Sequence, residues 1–274
     1  MTDLLAHGAA TPSPWAWVLA LALPVTAGAL YLAGVAALAR RGTTWPVGRL
    51  LAAAAGCACA GAALSPPVTA GAHLFPGHVV QHLLLTMLAP LLLACSAPVT
   101  LALPTLPRRP RRALLGVLHS RPGRVLTAPA VVVVLELGSL AALYLGPLYG
   151  LLHTRPALHL VVHAHMVLTG CLVSWLLVGA DPMPRRPGTP ARLGVLVVLA
   201  AGHAVLAKAL YATAPGALGA ADEVRRGAEL LYYGGDVVEL LLAVAVMAEW
   251  WRRTGRRLRA EERRAAGRSL PVAA

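Results

Sequence analysis

The sequence predicts an all-α, polytopic transmembrane bundle, and three observations carry that prediction. Hydrophobic residues fill 58% of the 274 positions and charged residues only 13%, against about 25% charged in an ordinary soluble domain. The apolar residues come in blocks long enough to cross a hydrocarbon core of about 30 Å. The basic residues, all arginine apart from Lys208, mostly lie between and after those blocks. A net charge of +13 on a soluble chain would suggest nucleic acid. Set between apolar blocks, arginine instead reports topology and contact with anionic lipid, so membrane lipid is an expected partner and nucleic acid is not.

Seven helices are predicted, at about 15–39, 47–64, 75–103, 126–149, 156–179, 192–214 and 230–251. No Arg or Lys precedes Arg40, so the first block lacks the basic start of a cleaved signal peptide. The second block is rich in Ala and Gly, which lets helices approach closely. The third contains Pro90 and Pro98, and a kink or break is expected there. Residues 1–256 form one seven-span domain, and 257–274 a basic tail expected to be disordered. The connections 40–49, 104–125 and 180–192 and the C-terminal tail hold 3, 6, 3 and 8 arginines, against only Arg155, Arg225 and Arg226 elsewhere. By the positive-inside rule the N-terminus is outside and the C-terminus cytoplasmic.

Orientation gives each intramembrane polar residue a depth, at about 1.5 Å per residue. The third span begins with GHVVQHLLLTMLAP, which puts His78 about 5 Å and His82 about 10 Å below the outer edge. The fifth span matches it with His159 and His163 at about the same two depths. Residues i and i+4 share a helix face, so each pair can point at a single ion. Asp236 and Glu239 in the seventh span, and Lys208 in the sixth, lie at about 9–13 Å. Lys208 and Asp236 match in depth and are predicted to form a buried ion pair. Glu136 lies deeper and lacks an obvious partner, and His203 lies near 16 Å.

Ionisable residues inside a membrane are a functional-site hypothesis by default. Imidazole is the commonest metal-ligand side chain and suits copper, zinc, iron and nickel. The metal candidates are His78, His82, His159 and His163. Additional candidates are His203, His165, Met166, Asp236, Glu239 and Lys208, with thioether favouring Cu(I) and Asp236 able to orient a ligand histidine. Bland readings stand beside these. A lone membrane histidine can serve as an interhelical hydrogen bonder, Met87 and Met166 as core filler, and Cys57 and Cys59 of the C-A-C stretch as small packing groups facing different sides of their helix. Two other classes remain open. One is a membrane di-iron hydroxylase, which also uses H-x-x-x-H boxes but usually carries more histidines, some adjacent, facing the cytoplasm. The other is a haem-binding electron carrier. The two histidine layers are about 6 Å apart, too close for two stacked haems. A solute transporter is disfavoured because the polar residues stop about half-way through the membrane.

The stretch HVVQHLLLTMLAPLLLACSAP from His78 to Pro98 resembles the signature of the seven-helix CtaG family of cytochrome c oxidase assembly factors. The same family is echoed by HLVVH from His159 to His163 with WLLVGADPMP after it, by His203, and by GGDVVE from Gly234 to Glu239. The resemblance spans roughly residues 73–251. It implies a non-enzymatic role in assembling haem-copper oxidase, with copper delivery to an oxidase subunit in a bacterial plasma membrane. It further implies that His78, His82, His159 and His163 bind the metal, that Asp181 and Pro182 shape the cytoplasmic end of the fifth span, and that Asp236 and Glu239 belong to the outer site.

Overall fold

A computed structural model describes residues 14–268; within that range the side chains of Ala16, Leu19, His153, Thr154, Pro156, His159 and residues 265–268 lie outside the described set. Among the described residues there are helices and turns and no strand. Helices α1 (Pro14–Ala39) and α2 (Val47–Leu64) reproduce the first two predicted spans, bounded by Pro14 and by the arginine turn before Pro46. They pack on each other at the edge of the bundle. Tyr31 of α1 ties in by donating its hydroxyl to the Ser96 carbonyl at 2.8 Å.

The third span is broken, as its prolines demand. After the short α3 (Pro66–Gly71), α4 (Phe75–His82) runs into a π-helical turn, Leu83–Leu88, then α5 (Ala89–Ser96) and α6 (Pro98–Thr105). Pro90 has no N–H to offer the carbonyl of Thr86 and its ring crowds that carbonyl. The ladder shifts register instead: Ala89 N–H bonds to Leu84 O, the i→i−5 spacing of a π turn. Ala97 then takes a left-handed conformation, φ 56°, and ends the rod before Pro98.

Helix α7 (Arg108–His119) is amphipathic and has no buried residue, the character of a helix lying in the headgroup layer. The basic run in the predicted 104–125 connection starts this helix. After α8 (Arg121–Leu126), α9 (Pro129–Tyr144) is shorter than the predicted 126–149 span. Its sixteen residues extend about 24 Å. Pro129 opens it and Gly146-Pro147 follows its end, where the short α10 (Leu148–Thr154) begins. Helices α11 (Pro156–Val178) and α12 (Thr189–Thr213) match the fifth and sixth spans. Six helical segments are therefore long and apolar enough to cross a membrane among the described residues, with α9 as a shorter apolar helix beside them.

Helix α13 (Ala221–Arg268) overruns the predicted end of the seventh span. Residues 257–268, expected to be disordered, continue the helix; 269–274 lie outside the described residues. The reason is local: the run after Trp251 is made of Arg, Ala, Glu and Leu, all good helix formers apart from Thr254 and two glycines.

The α4–π–α5 rod, α9, α11, α12 and α13 form the bundle proper. One apolar cluster, including Phe75, Val79, Leu143, Met166, Leu206 and Leu231, fills the end that holds His78. A second, including Leu91, Val132, Leu177, Leu196, Leu199 and Val246, fills the arginine-rich end. Between them, on five helical elements, lies a layer of buried polar residues.

Candidate functional site

The π turn and a glycine place this layer. A β-carbon added at Gly170 of α11 would land on the Thr86 carbonyl oxygen. Only glycine lets α11 approach the exposed carbonyl of the π turn so closely. Gly227 of α13 plays the same role against the Phe75 ring, which brings α13 onto the start of α4.

The His78 end of the site is built of imidazole and aromatic rings. His78 and His82 are 5% and 4% exposed. The His78 ring stands edge-on to Tyr149 at 5.2 Å, to Tyr144 at 5.9 Å and to His163 at 5.9 Å, centroid to centroid. Tyr144 also meets His82 at 6.5 Å and Phe75 at 5.5 Å. His78 of α4 thus meets His163 of α11, a pair that the depth count had put in different layers. The side chain of His159 lies outside the described residues.

Hydrogen bonds orient two of these rings. Gln81 donates from Nε2 to the Ala63 carbonyl at 3.0 Å, which turns its Oε1 toward His163 Nε2 at 3.4 Å. Thr86 donates its hydroxyl to the His82 carbonyl at 2.8 Å and accepts from His82 Nδ1 at 3.0 Å. Nε2 of His82, 3.5 Å from the same hydroxyl oxygen, then keeps its lone pair, as in histidines whose other nitrogen is held by a hydrogen bond. Among the described residues no three His, Cys, Asp or Glu side chains are gathered closely enough to enclose a metal. The rings meet edge to edge and do not form a closed shell of ligands.

The next turn of the bundle holds His203, Glu239 and Glu136, all more than nine-tenths buried. His203 Nδ1 and Glu239 Oε1 are 2.7 Å apart. With Met87, Thr86 and Ser174 these residues line a cavity of about 20 Å³. His203, which the depth count put near 16 Å, belongs to this deeper layer.

Other expectations fail here. Lys208 and Asp236 are both exposed, and among the described residues they form no ion pair. Lys208 Nζ instead sits 5.3 Å over the Tyr232 ring. Equal depth did not guarantee equal azimuth. The buried stripe of α13 runs through Gly235, Val238, Glu239 and Leu242, and Asp236 falls off its edge. On α12 the stripe is His203, Leu206, Ala207 and Leu210, which leaves Lys208 facing outward. Met166 is buried in the apolar cluster around Phe75, and His165 is half-buried on the same helix. Cys57 and Cys59 remain free thiols in α2. The sequence reading missed Phe75, Tyr144, Tyr149, Gln81 and Thr86. Gln81 and Thr86 had a signal, as polar residues beside and one turn after His82; the aromatic residues had none.

At the arginine-rich end, two carboxylates organise the chain. Asp181 accepts from the backbone N–H of Val99 at 3.0 Å and of Thr100 at 2.6 Å, and from the Thr100 hydroxyl at 2.7 Å. It caps α6 across the break at Ala97, where the freed N–H groups and the helix dipole favour an anion. Asp181→Ala is expected to cost about 1–3 kcal/mol, read as a lowered midpoint when the protein is unfolded in mixed micelles. Glu249 of α13 meets Arg192, Arg253 and Arg186. Arg192 is 1% exposed and also donates to the Leu177 carbonyl at 2.8 Å.

The comparisons with known proteins agree with this architecture. Residues 29–253 match the family model of the cytochrome c oxidase caa3 assembly factor, Caa3_CtaG. The uncharacterized protein Mb0105 of Mycobacterium bovis is 39% identical over 188 residues, covering 66% of this chain and 28% of that protein. MT0111 of Mycobacterium tuberculosis gives the same values. ML1998 of Mycobacterium leprae is 32% identical over 267 residues, 89% of this chain and 40% of that protein. The chain therefore spans well under half the length of these curated relatives. No solved structure matches it. With its membrane-capable helices and a match over most of its length, this multi-pass chain belongs to the cytochrome c oxidase caa3 assembly factor family.

Proposed function

We propose that the chain assists oxidase assembly by holding copper between His78, His82 and His163, with His159 one turn before His163 on α11, and by yielding it to an oxidase subunit docked alongside. The observation that carries this reading is the meeting of two helices at His78 and His163, ring against ring at 5.9 Å, inside a buried aromatic wall. Imidazole nitrogen suits copper, and the oriented Nε2 of His82 gives the cation a defined lone pair. Copper is cargo here. It moves by exchange of ligands, so the chain needs no catalytic group. The arginine-rich end faces the cytoplasm and the histidine end the outer side of a bacterial plasma membrane, a placement supported by the arginine count. A donor site a few ångströms below the outer surface can pass an ion sideways to a copper centre that is itself within the bilayer.

The test is metal content after purification in mild detergent, with separate reconstitution by Cu(I), Cu(II), Zn(II) and Fe(II). The parent is expected to retain copper, and a His78→Ala/His82→Ala variant of unchanged helix content to lose the copper of this layer. Retention of iron or haem in place of copper would replace the reading, and no metal in either protein would end it.

A further inference from the structure

The deeper polar layer has a chemistry that the outer rings do not explain. Glu239 as a carboxylate can only accept, so His203 Nδ1 carries the proton of their 2.7 Å contact. In the neutral ring this leaves the Nε2 lone pair of His203 facing away from Glu239. His203 Nε2 has no hydrogen-bond partner, and neither has Glu136 Oε2. Both residues line the cavity of about 20 Å³, together with Met87. That volume admits roughly one water-sized body. Two unpartnered acceptors and a thioether therefore surround a space for one small occupant. A carboxylate buried in a bilayer is compensated by positive charge or by taking up a proton, and a bound cation would supply the first.

We propose that Glu136, His203 and Met87 form a second Cu(I) subsite, one helical turn deeper than the outer histidines, with Glu239 orienting His203 from behind. The inference rests on copper being the cargo. Each donor has a stated part. His203 offers Nε2, braced by a carboxylate in the manner of metal-binding histidines generally. Met87 offers the soft sulfur that selects Cu(I). Glu136 supplies the anionic oxygen that neutralises the ion. Thr86 links the two subsites, since its hydroxyl holds the His82 ring and its side chain lines the deeper cavity. The π turn is what places Thr86 and Met87 together on the buried side, both less than 8% exposed. An ion held between the outer histidines would have a retention site beneath it, with one threonine between.

The experiment is anaerobic Cu(I) titration of the full chain in detergent micelles against a chromophoric chelator, with copper per chain read by mass spectrometry. Two coppers are expected in the parent and one in each of Glu136→Gln and His78→Ala/His82→Ala. Glu239→Gln is expected to weaken the deeper ion by about 10- to 100-fold. X-ray absorption of the outer-site variant is expected to show a sulfur neighbour that Met87→Leu removes; Met87→Leu nearly conserves volume and guards against a folding artefact. One copper in the parent, lost in His78→Ala/His82→Ala, would overturn the deeper site and leave the outer reading standing, with the cavity holding water or a proton on Glu136. One copper lost in Glu136→Gln but kept in His78→Ala/His82→Ala would support the deeper site and remove the outer one. No copper in the parent would overturn both.

Discussion

Glu249→Ala is expected to lower stability by about 3–5 kcal/mol, the cost of breaking a buried ion pair from one side. Removing it leaves Arg192, which is 1% exposed, without its carboxylate, together with Arg186 and Arg253. The three guanidinium groups then repel one another where one anion had joined them. Glu249 itself is partly open and Arg253 more so, so the lower part of that range applies. Glu249→Gln keeps the volume and one acceptor, and a smaller loss is expected. Unfolding in detergent–SDS mixtures checks both variants, and an Arg253→Ala control should fall well below them because that pair is largely solvated. A loss no larger than the control would mean that Arg192 finds enough acceptors in the Leu177 carbonyl and the Thr189 hydroxyl.

Gly170→Ala is expected to cost about 1–3 kcal/mol or more, the range of overpacking in a close-packed interior. The obstacle is a backbone carbonyl in the π turn, which cannot rotate aside as a side-chain tip can. The helices must separate, and the rings of α11 and α4 move apart with them. Copper retention should therefore fall although Gly170 is no ligand. Gly194→Ala on α12 is the matched control. Nothing lies within 4 Å of its added carbon, and alanine there should be neutral or slightly stabilising. Equal behaviour of the two variants would show that the α11–π contact is looser than its geometry indicates.

Much of this architecture was legible before any coordinates. Proline and arginine punctuate α1, α2, α11 and α12, so apolar length alone located them. The H-x-x-x-H spacing pointed to α4 and α11, since i and i+4 fall together on any helix, and His78 and His163 of those helices do meet. Spacing along each helix was legible too, since rise per residue is fixed. Azimuth was not: Lys208 and Asp236 share a depth and face outward from different helices. The fourth span was drawn too long because hydropathy runs on past Gly146-Pro147, whose breaking of the helix carried more weight. The π turn had a signal in Pro90, but a missing N–H predicts a disturbance and not its form. Glu239 as the partner of His203, and Glu249 as the centre of three arginines, depend on the packing of α12 against α13, which no local pattern encodes.

Glu239 and Glu249 stand ten positions apart on one helix, with no Gly or Pro between them, a separation of about 15 Å along the axis. One carboxylate braces a buried imidazole and the other gathers the basic rim. The segment joining them has no joint at which to absorb a displacement. Any axial slip of α13 at the basic rim would therefore be carried along the helix to the ring that Glu239 contacts.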